Sequence, residues 1–162
     1  MFRLVSLRRI TFALATLAVL GLVGPVAAGE QVPFKGDFEG DVTITPLDPP
    51  YVHADVDATG NATHLGLFTL DIPHKVNRMD RTAVGTYVFT AANGDMLTAD
   101  FVGQASPSGI PGVLYIEETA TITGGTGRFA GATGSFTSER FFDTIAGTTI
   151  GSFEGTVSSP GS

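Results

Sequence analysis

The sequence predicts an all-β fold, most simply an eight-stranded antiparallel closed barrel. Three observations carry the prediction. The composition is the first: of 162 residues only 15% are charged, while 21 are glycine and 12 phenylalanine. A chain poor in helix formers and rich in glycine, threonine and β-branched residues favours short strands joined by tight turns. The second is periodicity. Beyond residue 28, eight stretches alternate apolar and polar residues or have strand composition between turn signals, and no window longer than about ten residues has helical spacing. The third is an echo between the ends. Phe38-Glu39-Gly40-Asp41-Val42 resembles Phe153-Glu154-Gly155-Thr156-Val157. Terminal strands of like pattern pair naturally, which removes both sheet edges. A two-sheet sandwich fits the same alternation without that closure.

Residues 1–28 are read as a secretory signal peptide, leaving 29–162 as one β domain. Arg3, Arg8 and Arg9 form a basic head, Ile10 to Val23 is almost wholly apolar, and Gly24-Pro25 breaks the run before Val26-Ala27-Ala28. That layout predicts cleavage after Ala28. A membrane anchor is the competing reading, but the apolar run is short of the about 20 residues a span needs, and no basic cluster follows it. Arg8-Arg9 is an ordinary basic head, since its flanks do not fit a twin-arginine signal. The expected location is therefore secreted or periplasmic.

The charge narrows the partners. All 16 acids lie after Ala28, whereas three of the nine basic residues lie before it, so the domain carries about −10. Such a surface repels phosphate backbones and anionic membranes, so neither nucleic acid nor, after cleavage, a membrane is an expected partner. There is no cysteine, which excludes disulfides, thiolate metal sites and a lipid-anchored terminus.

The expected strands follow in order. Phe34 to Thr45 places Phe34, Phe38, Val42 and Ile44 on one face, and Pro46 to Pro50 ends it. Tyr51 to Thr59 ends at a Gly60-Asn61 turn signal, and Ala62 to Ile72 ends near Pro73. Thr82 to Ala91 leads through Asn93-Gly94, the clearest hairpin turn, into Met96 to Ala105. Val113 to Thr123, Ala132 to Thr144 and Thr148 to Ser158 complete the set, with at most one helical turn around Thr126 to Ala130.

The segment Gly124-Gly125-Thr126-Gly127-Arg128-Phe129-Ala130-Gly131-Ala132-Thr133-Gly134 has neither dinucleotide nor P-loop spacing. It reads as a tight crossover whose glycines supply positive φ, with Phe129 plugging a barrel end. These residues resemble the G-G-[TS]-G-x-F-x-x-A-x-G turn of the dirigent and allene oxide cyclase barrels. Gly124, Gly125, Thr126, Gly127, Phe129, Ala132 and Gly134 match it. The resemblance implies an eight-stranded barrel, nearest to exported bacterial proteins of unassigned function, and in the wider family of cyclases and dirigent proteins an apolar cavity with a few polar side chains folds a reactive substrate. The order of eight strands and the terminal strand fit as well, but no family catalytic residue matches a position outside the glycine run, so the resemblance carries over no catalytic role.

The polar residues out of phase are the candidate site. Glu118 shares a face with Leu114, Ile116, Ala120 and Ile122, and Arg140 shares one with Phe136, Ser138 and Phe142. If those faces point inward, two charges lie inside on adjacent strands, where they must pair or meet a polar ligand. The alternatives are a purely structural ion pair, or a bulge that turns Glu117 inward instead. His64, in phase with Phe68 and Leu70, is the third candidate. His53 is expected in solvent and His74 in a loop.

No His spacing suits a metal, no motif calls for a cofactor, and no catalytic triad can be argued. Asp55 to Gly60 begins like a calcium loop but lacks the closing glutamate and reads as an acidic turn. Asn61-Ala62-Thr63 is a glycosylation acceptor only in a eukaryotic host. Three functions stay open: a binding protein for a small apolar or amphipathic molecule, a cofactor-free cyclase or isomerase, and a structural barrel filled with phenylalanine.

Overall fold

The computed structural model describes residues 29–158; the expected signal peptide lies outside them. Nine strands follow in order: β1 (Gln31–Pro46), β2 (Tyr51–Ala62), β3 (Gly66–Asp71), β4 (His74–Asn77), β5 (Thr82–Ala91), β6 (Met96–Pro107), β7 (Val113–Gly125), β8 (Gly134–Asp143) and β9 (Thr148–Ser158). All pair antiparallel with their neighbours, and β1 pairs with both β2 and β9, so the sheet closes. The echo between first and last strands does mark the seam.

β3 and β4 are two halves of one strand. Asp71 lies opposite Asp57 and His74 opposite Ala54, with the same spacing on both chains. Against β5 the register is equally continuous, from Asp71 opposite Val88 to His74 opposite Gly85. The break is Pro73, which has no N–H to give the ladder. The barrel is thus eight-stranded, but its third strand runs through Pro73 to Asn77 instead of ending there.

Two turn expectations fail for one reason. Gly60 and Asn61 lie inside β2, opposite Phe38 and Asp37, and the chain reverses instead around His64, whose φ is 66°. Asp55 to Gly60 is likewise straight strand, not an acidic turn. Long pairing with β1 overrides the local turn signal. The glycine run behaves as expected: a single 3-10 turn (Gly127–Phe129) crosses the barrel end, and Gly127 takes a φ of 56° that disfavours any other residue.

The interior divides into two halves. Phe34, Phe68, Phe89, Phe136 and Phe153 fill one half. Phe34 alone meets Phe153, Phe136 and Phe89 at ring centroid distances of 4.9, 5.6 and 5.8 Å. Such edge and tilted contacts suit the aromatic quadrupole. Phe129 and Leu65 seal that end, both buried. The other half, built from the ends of β1, β6 and β8 and the starts of β2, β5 and β7, is not filled.

Candidate functional site

Glu118 on β7 and Arg140 on β8 both point inward, each 2% exposed. The strand phase is as the sequence predicts, and Glu117 faces solvent. Arg140 Nε–H donates to Glu118 Oε2 at 3.1 Å and Nη2–H to Oε1 at 2.9 Å. The forked geometry matches guanidinium to carboxylate and fixes both side chains. The Tyr87 hydroxyl of β5 donates to Oε2 as well. Burial, then the Glu118 charge, pushes the Tyr87 pKa well above the ordinary phenol range, so it remains a donor. Burial opposes the charge of Arg140, but Glu118 and Tyr87 together outweigh it and hold the guanidinium pKa above its usual value.

The backbone makes room for this trio. Gly103 lies opposite Glu118 across β6–β7, and Gly151 opposite Arg140 across β8–β9. A Cβ on Gly103 would stand 2.8 Å from Glu118 Cγ, and one on Gly151 would stand 2.6 Å from Arg140 Cβ. Both distances are sterically excluded. Ser138, buried beside them on β8, makes no side-chain hydrogen bond among the described residues.

Above the trio the unfilled half forms a cup of about 530 Å³. Val42, Val52, Val76, Leu114, Ile116 and Phe142 make its walls. Arg140 and His74 are the buried polar groups in its lining, while the exposed Arg78 and Arg81 stand at the mouth. Glu118 and Tyr87 lie behind Arg140 and do not reach the lining. Among the described residues, three of six lysines and arginines therefore line this cup and no carboxylate does. Arg78 and Arg81 have no ion pair among the described residues, and Arg81 adopts a left-handed φ of 62°. A non-glycine residue held there marks a turn fixed by its surroundings. Here Asp80 accepts from Thr82, and Gln104 donates to the Asp80 carbonyl. A wider depression of about 850 Å³ lies on the outer surface against Asp37, Glu39, Asn61 and Leu67. It is more open to solvent than the cup.

The histidines exchange places with expectation. His64 is exposed in the β2–β3 turn, because the strand phase stops there. His74 is 5% exposed and inward. Its Nδ1 lies 2.8 Å from the Ile72 carbonyl, and its ring meets Phe101 edge-on at 5.8 Å. Burial pushes its pKa below the ordinary imidazole range, opposed by the Ile72 bond and assisted by Arg140. His53 lies outside the barrel, 3.0 Å from Asp55. The sequence carried the signal for His74 and Tyr87. Parity with Phe68, Leu70 and Ile72 reaches His74 once the strand is read through Pro73, and Tyr87 alternates in phase with Phe89.

No protein-family model and no curated protein matches the chain. Among solved structures, it is similar to a pterocarpan synthase dirigent protein, with a TM-score of 0.54 and 16% identity over 90% of this chain and 96% of that one. An identity that low speaks to architecture alone. Together with strand order and closure, this likeness establishes that the chain has a dirigent-like, eight-stranded closed β-barrel fold.

Proposed function

We propose that the chain is an exported binding protein that holds one small amphipathic molecule in its cup, apolar body against the walls and an anionic end at Arg78 and Arg81. One observation carries this reading: the barrel is packed solid at one end and left open, with apolar walls, at the other. Its volume of about 530 Å³ suits a single small ligand, because such sites are typically about 300–1,000 Å³ with mainly apolar lining. A purely structural barrel has no use for an unfilled half, since empty apolar space forfeits dispersion contacts. Two unpaired arginines at the mouth of a domain carrying about −10 favour a ligand with negative charge at its outer end. The basic and apolar head of the sequence supports export.

The test is native mass spectrometry of protein purified from its own culture fluid. The expected result is a non-covalent adduct of an acidic small molecule that 8-anilinonaphthalene-1-sulfonate displaces. A bare protein mass, with no binding of that sulfonate, overturns the reading.

A further inference from the structure

We propose that the cup is also a proton-transfer site, in which His74 Nε2 takes a proton from the carbon beside a bound ketone and Arg140 holds the resulting enolate oxygen. The proposal rests on the cup being a ligand site.

The tautomer of His74 follows from its partner. The Ile72 carbonyl only accepts, so Nδ1, 2.8 Å away, carries the hydrogen. Nε2 is left with a lone pair and has no partner among the described residues. The Ile72 bond and the Phe101 contact hold the ring in place. Among the described residues, His74 is the only titratable base in the cup lining, since Glu118 is occupied behind Arg140. Burial keeps the imidazole neutral at neutral pH, the form a base needs. On Arg140, Nε and Nη2 are taken by Glu118, while Nη1 enters none of the described hydrogen bonds. Arg140 also lines the cup. A guanidinium fixed by a buried carboxylate, with donors to spare, is pre-organised for an oxyanion.

The step balances within one molecule. The α C–H bond breaks, its proton goes to Nε2, and its electron pair forms the C=C bond of an enolate. The carbonyl π pair moves onto oxygen, against the N–H groups of Arg140. The imidazolium then returns its proton to the same carbon, or to the γ carbon of a β,γ-unsaturated ketone, which shifts the double bond into conjugation. No oxidant or second substrate is consumed. The substrate class is an enolisable ketone with an apolar body and, as argued above, an anionic outer end.

The experiment uses 9-oxodecanoate in D₂O with the intact domain. Saturation-transfer NMR reads binding, and loss of the α-proton signals beside the ketone reads exchange. The expected result is binding with exchange faster than in buffer. His74→Gln and His74→Asn should keep binding but lose about 100-fold or more of the catalysed rate, the lower range for a general base. Should both variants misfold, the wild-type pH profile decides. Exchange should rise with pH and level off with a midpoint below the ordinary imidazole range. The titratable and charged groups set around His74 are Arg140, Glu118, Tyr87, His53, Arg78 and Arg81. Binding without catalysed exchange, unchanged exchange in the variants, or a flat profile overturns the base assignment and leaves the cup reading standing. Absence of binding overturns both.

Discussion

Glu118 and Arg140 are bonded across a diagonal of the β7–β8 ladder: Glu118 lies opposite Ser138, and Arg140 lies opposite Ile116. The guanidinium reaches back along the strand to close the fork, so the pair spans two layers of the barrel. The carboxylate lies outside the cup lining, of which Arg140 is a part. This polarity lets a fully paired, buried carboxylate support a cation that still lines open space.

Breaking the pair from one side should be costly. Glu118→Gln leaves Arg140 buried without its counter-charge, and a loss of about 3–5 kcal/mol is expected from urea unfolding. Replacing both, as Glu118→Gln with Arg140→Met, should recover most of that loss. If the double variant is as unstable as the sum of the singles, the two residues do not act as a unit.

Tyr87→Phe removes one donor from Oε2 while the fork to Arg140 remains. A loss of about 1–3 kcal/mol follows from the acceptor left short in a buried site. Anionic probe binding should be unchanged, because Tyr87 does not line the cup. Thermal unfolding and a fluorescence titration on the same sample check both halves of the prediction.

Gly103→Ala places a methyl 2.8 Å from Glu118 Cγ. Overpacking of this kind typically costs about 1–3 kcal/mol. Gly103→Ala should therefore destabilise the domain, whereas the same change at Gly109 should not do so by contact, since a Cβ there meets nothing within 4 Å. Gly109 has a φ of 86°, so its own cost is conformational, about 1–2 kcal/mol for a left-handed non-glycine residue, and involves no crowded neighbour. Equal stability of the Gly103 variant and the parent would count against the crowding described around Glu118.

Much of this was legible in sequence, and the exceptions share a cause. The inward phase of Glu118 and Arg140 follows from alternation with Ile116, Ile122, Phe136 and Phe142, because a half-buried strand leaves that pattern on the chain. Pro73 and Gly60-Asn61 misled because local turn chemistry is decided, in a closed barrel, by the strands on either side. His64 and His74 changed roles as a consequence. The half-filled interior was not legible. All eight phenylalanines at positions 34, 38, 68, 89, 101, 136, 142 and 153 do face inward, seven of them buried and Phe142 half-buried. Where they gather along the axis depends on register and strand tilt, which no residue states by itself.

Stability should depend on pH through His74. Its folded pKa lies below the unfolded value of about 6.5. The folded state therefore binds fewer protons than the unfolded chain at mildly acidic pH, and stability rises with pH in that range. The contribution is fully present above the unfolded pKa and is lost as pH falls from there through the folded one. His74→Gln should flatten the unfolding free energy between about pH 6.5 and the onset of carboxylate protonation. A parent protein already flat over that window contradicts the burial assigned to His74.

The mouth arginines should act as charges. Arg78→Gln with Arg81→Gln should weaken 8-anilinonaphthalene-1-sulfonate binding about tenfold or less, the scale of partly exposed pairs, and reduce its salt dependence. A neutral naphthylamine analogue should bind the parent and the variant alike. Equal loss for both probes would point to a structural role for the turn.

A ligand bound to this protein should sit inside the open half of the barrel. Methyl NMR during a titration with 8-anilinonaphthalene-1-sulfonate tests it most directly. Shifts are expected at Ala54, Ala83, Ala105, Leu114 and Ile116, which line the cup, with Ala120, Leu97 and Val157 unmoved in the filled half. Shifts confined to outward methyls such as Leu67 and Ile150, or no shifts at saturating probe, would contradict it.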